Sequence, residues 1–468
     1  MVKKIVLLLS GNVMTSVILF LRTILIARLI SVADYGIAAT FMISVTIMQL
    51  LSNLGLNQMI IQDNDGDDPD FQASLQGFQL LRGFVSGALL FALAAPMARF
   101  LGQPQITWAY QLLAVVPVLN GLAHFDVFRL QRRMAYGPFI ATQLLPPLIS
   151  VLAIWPLYMM YGDYRVMLGA ILAQWLLYLL LTHLVKERRY ALAFRRDILM
   201  RGVRFGWPLL ANGVMLFIIY QGERLVVGRE LGMATLAIFS MTLSLVQTPM
   251  GAVTRAVHQF LLPQLSAAKA DDGEFNRMAV VMVQASALAM AVLALGIALA
   301  GPPLVLLALG EKYAPVLDFL LLMAVVELLR AVRSGLSQVA LARARTLNGV
   351  VSNLPRVLAI AVAWALLIRG AGLPAVLGVA VLGEALGFLV ALVLAHRWAG
   401  MAVALQAPCL IALALFTAAL ALASPLLPWT LPPLAEAGLL ALTGGALLAT
   451  LRPLWRYLRD RRMTAYGG

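Results

Sequence analysis

The sequence predicts an all-α polytopic membrane protein of about fourteen transmembrane helices. Of the 468 residues, 62% are hydrophobic and 12% are charged, and the mean hydropathy is +0.90. Soluble domains are roughly a quarter charged, so this composition suits lipid better than water. The apolar residues fall in runs of about 20, the length that a helix needs to cross a bilayer. No segments of about ten residues with alternating polarity indicate a β-barrel.

Polar residues, glycines and prolines separate the apolar runs and set approximate boundaries. The predicted spans are 5–29, 36–58, 73–98, 106–127, 138–160, 165–184, 205–228, 234–262, 277–300, 315–340, 347–368, 373–395, 406–423 and 434–451. The last two carry almost no polar residues and look appended. They form either a lipid-facing groove or a plain pair of anchoring helices.

The amino terminus has some features of a signal peptide, because Lys3 and Lys4 precede an apolar run. That run extends from about Ile5 and contains Arg22 and Arg28, so it is much longer than the apolar core of a signal peptide. We therefore expect an uncleaved first transmembrane helix.

The distribution of Lys and Arg predicts the orientation in the membrane. With a cytoplasmic amino terminus and fourteen spans, 22 of the 35 basic residues lie on the cytoplasmic side and six on the other. Cytoplasmic loops are enriched in Lys and Arg, so we expect both termini in the cytoplasm and an even number of spans. The net charge of +14 is then mostly a collar facing anionic lipid and does not indicate nucleic-acid binding.

A basic stretch over 186–204 divides the chain and predicts its domain organisation. We expect an N-terminal six-helix lobe over 1–185, a cytoplasmic linker over 186–204, a C-terminal six-helix lobe over 205–395, and helices 13 and 14 with a basic tail over 396–468. The halves open similarly, since Ile26–Gly36 and Val227–Ala237 both contain an arginine followed by a short turn. Two such halves around a central cavity are a common transporter plan.

Ionisable residues inside the predicted spans are the candidates for function, because each charge at a helix centre costs roughly 2.5–3.5 kcal/mol on insertion scales. Seven arginines and three glutamates lie there. This excess predicts an anionic cargo, because a guanidinium binds phosphate oxygens in a bidentate way and keeps its charge when buried. The candidate substrate-binding residues are Arg22, Arg255, His258, Arg28 and Arg330, and the candidate coupling or ion-pair residues are Glu223, Arg224, Glu327 and Glu384.

Several of these residues have a purely structural interpretation. Glu223 with Arg224, and Glu327 with Arg330 three residues later, are equally interpreted as ion pairs that hold the bundle together. Arg82 and Arg356 lie near the cytoplasmic ends of their predicted spans, a position typical of snorkelling side chains. His258, one turn from Arg255, either assists anion binding or is a hydrogen-bonded packing residue.

Arg22 and Arg255 are the strongest candidates for cavity-lining cations. Neither has an acidic residue within one helical turn, and both lie in long apolar spans in opposite halves of the chain.

Other chemistries lack their sequence signals. The acidic stretch Asp63–Asp70 places Asp68 where a calcium loop needs glycine, so we interpret it as a solvated turn. No phosphate-binding GxxxxGK[ST] motif, catalytic triad or metal spacing occurs, and the single Cys409 excludes an internal disulfide. We expect no cofactor, no metal and no enzymatic activity.

Four stretches carry a family resemblance: Arg22–Gln62 (RTILIARLISVADYG at its start), Ala95–Ile106, Asn120–Gly137 and Leu243–Ser266. In this order and spacing they resemble bacterial polysaccharide, or O-antigen, flippases of the multidrug/oligosaccharidyl-lipid/polysaccharide exporter superfamily. The resemblance covers most of residues 1–400.

The resemblance implies alternating access between two six-helix lobes and movement of undecaprenyl-diphosphate-linked sugar repeat units from the cytoplasmic to the periplasmic leaflet. It also implies that Arg22 and Arg255 engage the diphosphate. Related proteins often carry an acidic residue at the start of a helix 7 pattern where this chain has Glu223–Arg224, so the coupling ion stays open.

Three functions are therefore considered. The leading hypothesis is a lipid-linked oligosaccharide flippase for surface or exopolysaccharide, with the lipid-linked glycan, membrane lipids, a polysaccharide polymerase and a chain-length regulator as partners. The alternatives are a drug or metabolite antiporter of the same superfamily and an integral-membrane glycan polymerase or transferase. Short outer loops disfavour the last of these.

Overall fold

The computed structural model describes residues 2–52, 56–345, 347–426 and 432–466. Within these ranges, the side chains of residues 2–10, 12, 51–52, 204–212, 433 and 460–466 are not described. The described residues are helical with short connections and contain no strand, which confirms the predicted all-α class.

Nineteen α-helices follow one another in the described ranges. Their bounds are α1 Val2–Leu29, α2 Val32–Ser52, α3 Leu56–Gln62, α4 Pro69–Phe100, α5 Thr107–Leu113, α6 Val115–Leu122, α7 Asp126–Arg132, α8 Tyr136–Leu152, α9 Ile154–Tyr161, α10 Arg165–Leu184, α11 Arg196–Ala267, α12 Asp272–Leu309, α13 Val316–Ala342, α14 Leu347–Val351, α15 Leu354–Ile368, α16 Leu373–Ala399, α17 Val403–Leu422, α18 Pro433–Ala449 and α19 Arg452–Tyr466.

The protein is a multi-pass membrane protein. Nine helices among the described residues are long and apolar enough to cross a bilayer, or up to eleven if each of two bent pairs forms one span. The sequence predicts fourteen spans, and the difference from this number has identifiable causes. The segment 213–270 is one helical stretch that holds parts of two predicted spans, and α13 is 27 residues long but carries four charges. The side chains of residues 2–10 in the first predicted span lie outside the described part.

Contacts divide the chain into two compact units, unit 1 over Met1–Ala237 and unit 2 over Ile238–Gly468. The helical stretch α11 crosses this division and is broken at Gly232, whose φ of +81° places it in the left-handed region that glycine adopts easily. This break lies between the predicted spans 205–228 and 234–262. The predicted domain boundary at 186–204 stays a prediction.

Local sequence signals explain several helix ends. Asp68 caps α4 by accepting a hydrogen bond from the backbone N–H of Asp70, and Pro69 occupies the first turn, where its missing N–H costs nothing. Asp271 caps α12 in the same way through Gly273. Gly400 ends α16 in the left-handed conformation, with φ of +66°.

In unit 1, α4 packs against α6, and α8 packs against both α1 and α10. One close approach fixes α2. A Cβ added at the buried Gly36 would lie 1.9 Å from the backbone oxygen of Met233, a separation that no side chain tolerates. The predicted acidic turn forms a short 3₁₀ helix over Asn64–Asp67, and Arg201 pairs with Asp63 at its edge.

Unit 2 packs α13 between α12 and α16, and α15 also packs on α16. The small residues of α16, among them Ala380, Gly383 and Gly387, are buried and let neighbouring helices approach closely. A Cβ at Gly387 would lie 2.7 Å from the backbone oxygen of Ser352. This close packing brings the charged residues of α13, α15 and α16 together.

Candidate functional site

A cavity of about 460 Å³ lies inside unit 1, enclosed by residues of α1, α2, α3, α4, α6, α7, α8 and α10. Carboxamide side chains dominate its polar lining. They are Gln49, Asn57, Gln79, Asn120, Gln143 and Gln174. Gln79 donates to the backbone oxygen of Asn120 at 2.7 Å. The carboxamides of Gln49, Asn57 and Gln143 make no hydrogen bond to other described side chains or backbone, so their donors and acceptors remain available.

Aromatic rings and one cation complete the lining. Trp175 and Tyr178 on α10 contact each other edge to face, with ring centroids 5.6 Å apart, and Phe128 and Phe139 lie on α7 and α8. Arg82 on α4 is the one charged side chain among the described lining residues, and no Asp or Glu lines the cavity there. The cavity is therefore polar, cationic and partly aromatic.

Arg22, the leading candidate from the sequence, lies beside this cavity and is only 4% exposed. Its Nη1 donates to Oε1 of Gln174 at 2.5 Å and to Oγ of Ser150 at 3.3 Å. Its Nε is buried without a hydrogen-bond partner, and no carboxylate among the described residues forms an ion pair with it. A buried cation with neutral partners is costly. Because Gln174 also lines the cavity, this hydrogen bond joins Arg22 to the cavity wall.

The structure adds residues that the sequence interpretation missed. The snorkelling interpretation of Arg82 does not account for its place in the cavity lining, where its Nε is buried without a hydrogen-bond partner. The signal was present on α4, where Gln72, Gln76, Gln79 and Arg82 follow one another at spacings of four, three and three residues. These spacings place all four on one face of an apolar helix.

The other candidate substrate-binding residues lie elsewhere. Arg255 and His258 belong to unit 2, where Arg255 is exposed and His258 is partly buried with its Nε2 lacking a hydrogen-bond partner. Arg28 is exposed near the end of α1. Their roles in substrate binding, including the joint action of Arg22 and Arg255, stay predictions.

Five charged residues of unit 2 form a buried cluster, defined by Glu327, Arg330 and Arg333 on α13, Arg356 on α15 and Glu384 on α16. Oε1 of Glu384 accepts from Nε of Arg330 at 2.7 Å and lies 2.5 Å from Nε of Arg356, and Oε2 lies 3.2 Å from Nε of Arg333. Glu327 pairs with Arg330.

This geometry fits the ion-pair interpretation of Glu327 and Arg330. The snorkelling interpretation of Arg356 is wrong, because its side chain is buried against Glu384. The guanidinium of Arg330 is occupied by two carboxylates, which disfavours phosphate binding, and its role in substrate binding stays a prediction.

The pair Glu223 and Arg224 lies on α11 in unit 1 and is partly buried. Nη1 of Arg224 donates to Oε1 of Gln221 at 3.2 Å, and Gln221 in turn donates to Thr46 on α2 at 3.2 Å. The carboxylate of Glu223 also acts on the charge of Arg224, and the coupling role of Glu223 stays a prediction.

Sequence comparison identifies a family and a relative that are similar to this chain. Residues 25–318 match the sequence model of a family described as polysaccharide biosynthesis protein. The succinoglycan biosynthesis transport protein ExoT of Rhizobium meliloti (strain 1021) is 22% identical over 312 residues. That match covers 65% of this chain and 62% of the relative.

Solved transporter structures share the fold. The lipid II flippase MurJ in an inward closed conformation superimposes with a TM-score of 0.68 at 14% identity, and the match covers 97% of this chain and 99% of that one. An inward-facing multidrug resistance MATE transporter of the MOP superfamily has a TM-score of 0.61 at 14% identity, with 82% and 94% of the two chains covered. At such identities the likeness concerns the fold alone.

Proposed function

The chain belongs to the polysaccharide biosynthesis protein family, and from this membership we propose that it is a flippase for lipid-linked oligosaccharides. It moves undecaprenyl-diphosphate-linked repeat units from the cytoplasmic to the periplasmic leaflet of a bacterial inner membrane, for surface or exopolysaccharide. ExoT, named as a succinoglycan transport protein, and the MurJ fold support this proposal. The proposal also includes alternating access and termini in the cytoplasm. It includes a polysaccharide polymerase and a chain-length regulator as partners.

The observation that carries the proposal is the chemistry of the cavity in unit 1. Sugar hydroxyls are both donors and acceptors, and a carboxamide offers both kinds of group in one side chain. The lining carboxamides therefore suit a glycan, and the rings of Trp175 and Tyr178 add apolar surface against which a sugar face packs. The described lining has no carboxylate, which disfavours the cationic drugs that an antiporter of this superfamily would carry.

The two arginines supply the second part of the recognition. Arg82 lines the cavity, and Arg22 reaches it through Gln174. A diphosphate offers oxygens that suit the planar fork of a guanidinium and carries the negative charge that would balance these two cations. We infer that the diphosphate replaces Gln174 as the acceptor for Arg22, which offsets the cost of burying that cation.

The experiment compares Arg22→Gln, Arg82→Gln and Gln143→Leu in cells that depend on this protein for glycan export. Arg99→Gln, an exposed arginine at the end of α4, is the matched control. We expect the three cavity variants to reach the membrane in normal amounts, to lose most export and to accumulate lipid-linked intermediates in the cytoplasmic leaflet. Arg99→Gln should export normally.

Arg22→Lys separates charge from shape. A lysine keeps the charge but loses the planar fork, so export should be intermediate if bidentate phosphate binding matters. Normal export by both Arg22→Gln and Arg82→Gln would refute the assigned roles.

A further inference from the structure

A second cavity, of about 280 Å³, lies in unit 1 at the amino-terminal part of α4, beside the segment that follows α10. Its polar lining consists of Gln72, Gln76, His124, Arg188 and Arg189. It shares no lining residue with the carboxamide cavity. Nothing in the proposed transport of glycans uses it.

His124 brings a hydrogen-bond donor to this cavity wall. Its Nδ1 accepts the backbone N–H of Asp126 at 3.1 Å, so Nε2 carries the proton of the neutral ring. The residue is 2% exposed, and Nε2 forms no hydrogen bond of regular geometry among the described residues, although a backbone acceptor of Arg188 lies near the ring. A buried donor without an acceptor is costly, and an anion oxygen in the cavity is the kind of group that removes the cost.

Arg188 and Arg189 bring the positive charge. Arg188 donates to Oε1 of Gln72 at 3.0 Å and to the backbone oxygen of Asp67 at 2.7 Å, which are both uncharged acceptors. Burial, and next the charge of Arg129, lower the pKa of Arg188, and the carboxylates of Asp126 and Asp67 offset this effect only in part. Arg189 is exposed at the cavity edge.

The neighbouring carboxylates are already matched by other arginines. Arg129 lies 2.5 Å from Asp126 and 2.9 Å from Glu187. Arg133 lies 2.9 Å from Asp67, with Arg132 at 3.6 Å. These contacts join three carboxylates to three guanidinium groups, so Arg188 and Arg189 add two positive charges without a carboxylate of their own.

Exposed apolar residues flank these cations along the chain. Leu184 at the end of α10 is 76% exposed, and Leu192 and Phe194 are 44% and 57% exposed. Apolar side chains next to cations, directly after a transmembrane helix, are typical of a segment at the surface of an anionic bilayer. This arrangement favours a phosphate that belongs to a lipid over a phosphate free in solution.

We propose that this second cavity binds the phosphate of an anionic lipid headgroup, with Arg188, Arg189 and the Nε2–H of His124 as donors. The bound lipid holds the segment 185–195 at the membrane surface. The site is independent of the glycan cavity, and its test measures lipid binding directly.

The test uses the purified full chain in detergent and counts retained lipids by native mass spectrometry. The probes are phosphatidylglycerol and phosphatidylcholine with identical acyl chains. Arg189→Gln removes one proposed donor from an exposed position. His124→Asn keeps an acceptor for the Asp126 N–H but removes the Nε2–H. The control Arg195→Gln removes the same charge from an exposed arginine of the same linker that pairs with Asp197 outside the cavity.

We expect phosphatidylglycerol affinity to fall roughly tenfold in Arg189→Gln, as for the loss of one charge-assisted hydrogen bond. It should fall measurably in His124→Asn and less than about twofold in Arg195→Gln. Phosphatidylcholine should bind the wild-type chain more weakly.

Equal losses in Arg189→Gln and Arg195→Gln would mean diffuse attraction and overturn the proposal. So would equal binding of the two lipids, or complete displacement of phosphatidylglycerol by millimolar inorganic phosphate, which would make the cavity a site for free phosphate.

Discussion

Replacement of Glu384 by Gln is the sharpest test of how unit 2 keeps its buried charges. Glu384 is 1% exposed and is the one carboxylate that contacts Arg330, Arg333 and Arg356 together within the described residues. A glutamine retains one oxygen for two of these guanidinium groups. Its amide nitrogen, however, would place a donor against Nε of Arg333.

The expected cost follows from this geometry. Breaking a buried ion pair from one side costs about 3–5 kcal/mol, because it leaves the other charge without compensation. Glu384→Gln leaves three guanidinium groups with Glu327 alone, while the retained oxygen recovers part of the loss. We therefore expect a loss of about 4 kcal/mol in the free energy of unfolding. At ~2–4 °C per kcal/mol this corresponds to a fall in Tm of roughly 8–16 °C.

The chain supplies its own probe for this assay. Cys409 is its single cysteine and is buried on α17 in unit 2. A thiol-reactive fluorogenic dye therefore reports the opening of this unit as the purified protein is heated.

Glu274→Gln is the matched control, because Glu274 pairs with Arg277 at 2.6 Å on the surface of the same unit and should cost less than about 1 kcal/mol. The double variant Glu384→Gln with Arg356→Gln should unfold at a higher temperature than Glu384→Gln alone, because it removes one uncompensated cation. If Glu384→Gln unfolds at the same temperature as Glu274→Gln, the cluster does not carry the stabilising role assigned to it.

Three further predictions follow from unit 1 and from the orientation. Gly36→Ala should lower Tm by several degrees or abolish folding, because its Cβ would overlap the backbone of Met233, whereas Gly137→Ala meets no atom within 4 Å and should leave Tm nearly unchanged; equal Tm values would contradict the close approach. Arg201→Ala should cost less than about 1 kcal/mol by thermal unfolding, because its contact with Asp63 is largely exposed, and a cost above 2 kcal/mol would give the acidic turn a larger role. A reporter enzyme that works only in the cytoplasm should be active when fused to either end, and one that works only in the periplasm should be inactive. Activity of a periplasmic reporter at either end would contradict the orientation inferred from Lys and Arg.

The sequence predicted the fold class well, because the requirement to satisfy backbone hydrogen bonds in lipid leaves helices and closed barrels as the only spanning structures. It also predicted Arg22 as a cavity-lining cation with no acidic residue within one helical turn, and the structure places this side chain beside the cavity, hydrogen-bonded to Gln174 of the lining. The partners of Arg22 could not be predicted in the same way. Ser150 and Gln174 are 128 and 152 residues away along the chain, and the packing of α8 and α10 against α1 brings them together.

Long-range pairing also explains the errors. The position of Arg356 near a span end predicts an interfacial arginine, because its own helix carries no acidic residue. In the structure it forms an ion pair with Glu384 on α16. The position of Arg82 along its span predicts snorkelling, whereas the polar stripe of Gln72, Gln76 and Gln79 before it indicates a polar helix face. Periodicity within one helix identifies a polar face, but only packing shows what that face meets.

The role proposed for the cavity of unit 1, with Arg22 and Arg82, is the movement of a diphosphate-linked glycan across a bilayer. Its most direct test reconstitutes the purified protein in liposomes that contain an undecaprenyl-diphosphate-linked oligosaccharide in one leaflet, and measures its arrival in the other with a membrane-impermeant glycan-modifying enzyme. We expect transfer by the wild-type protein and by Arg99→Gln, and near-background transfer by Arg22→Gln and Arg82→Gln. Background transfer by the wild-type protein, or wild-type rates in both cavity variants, would contradict it.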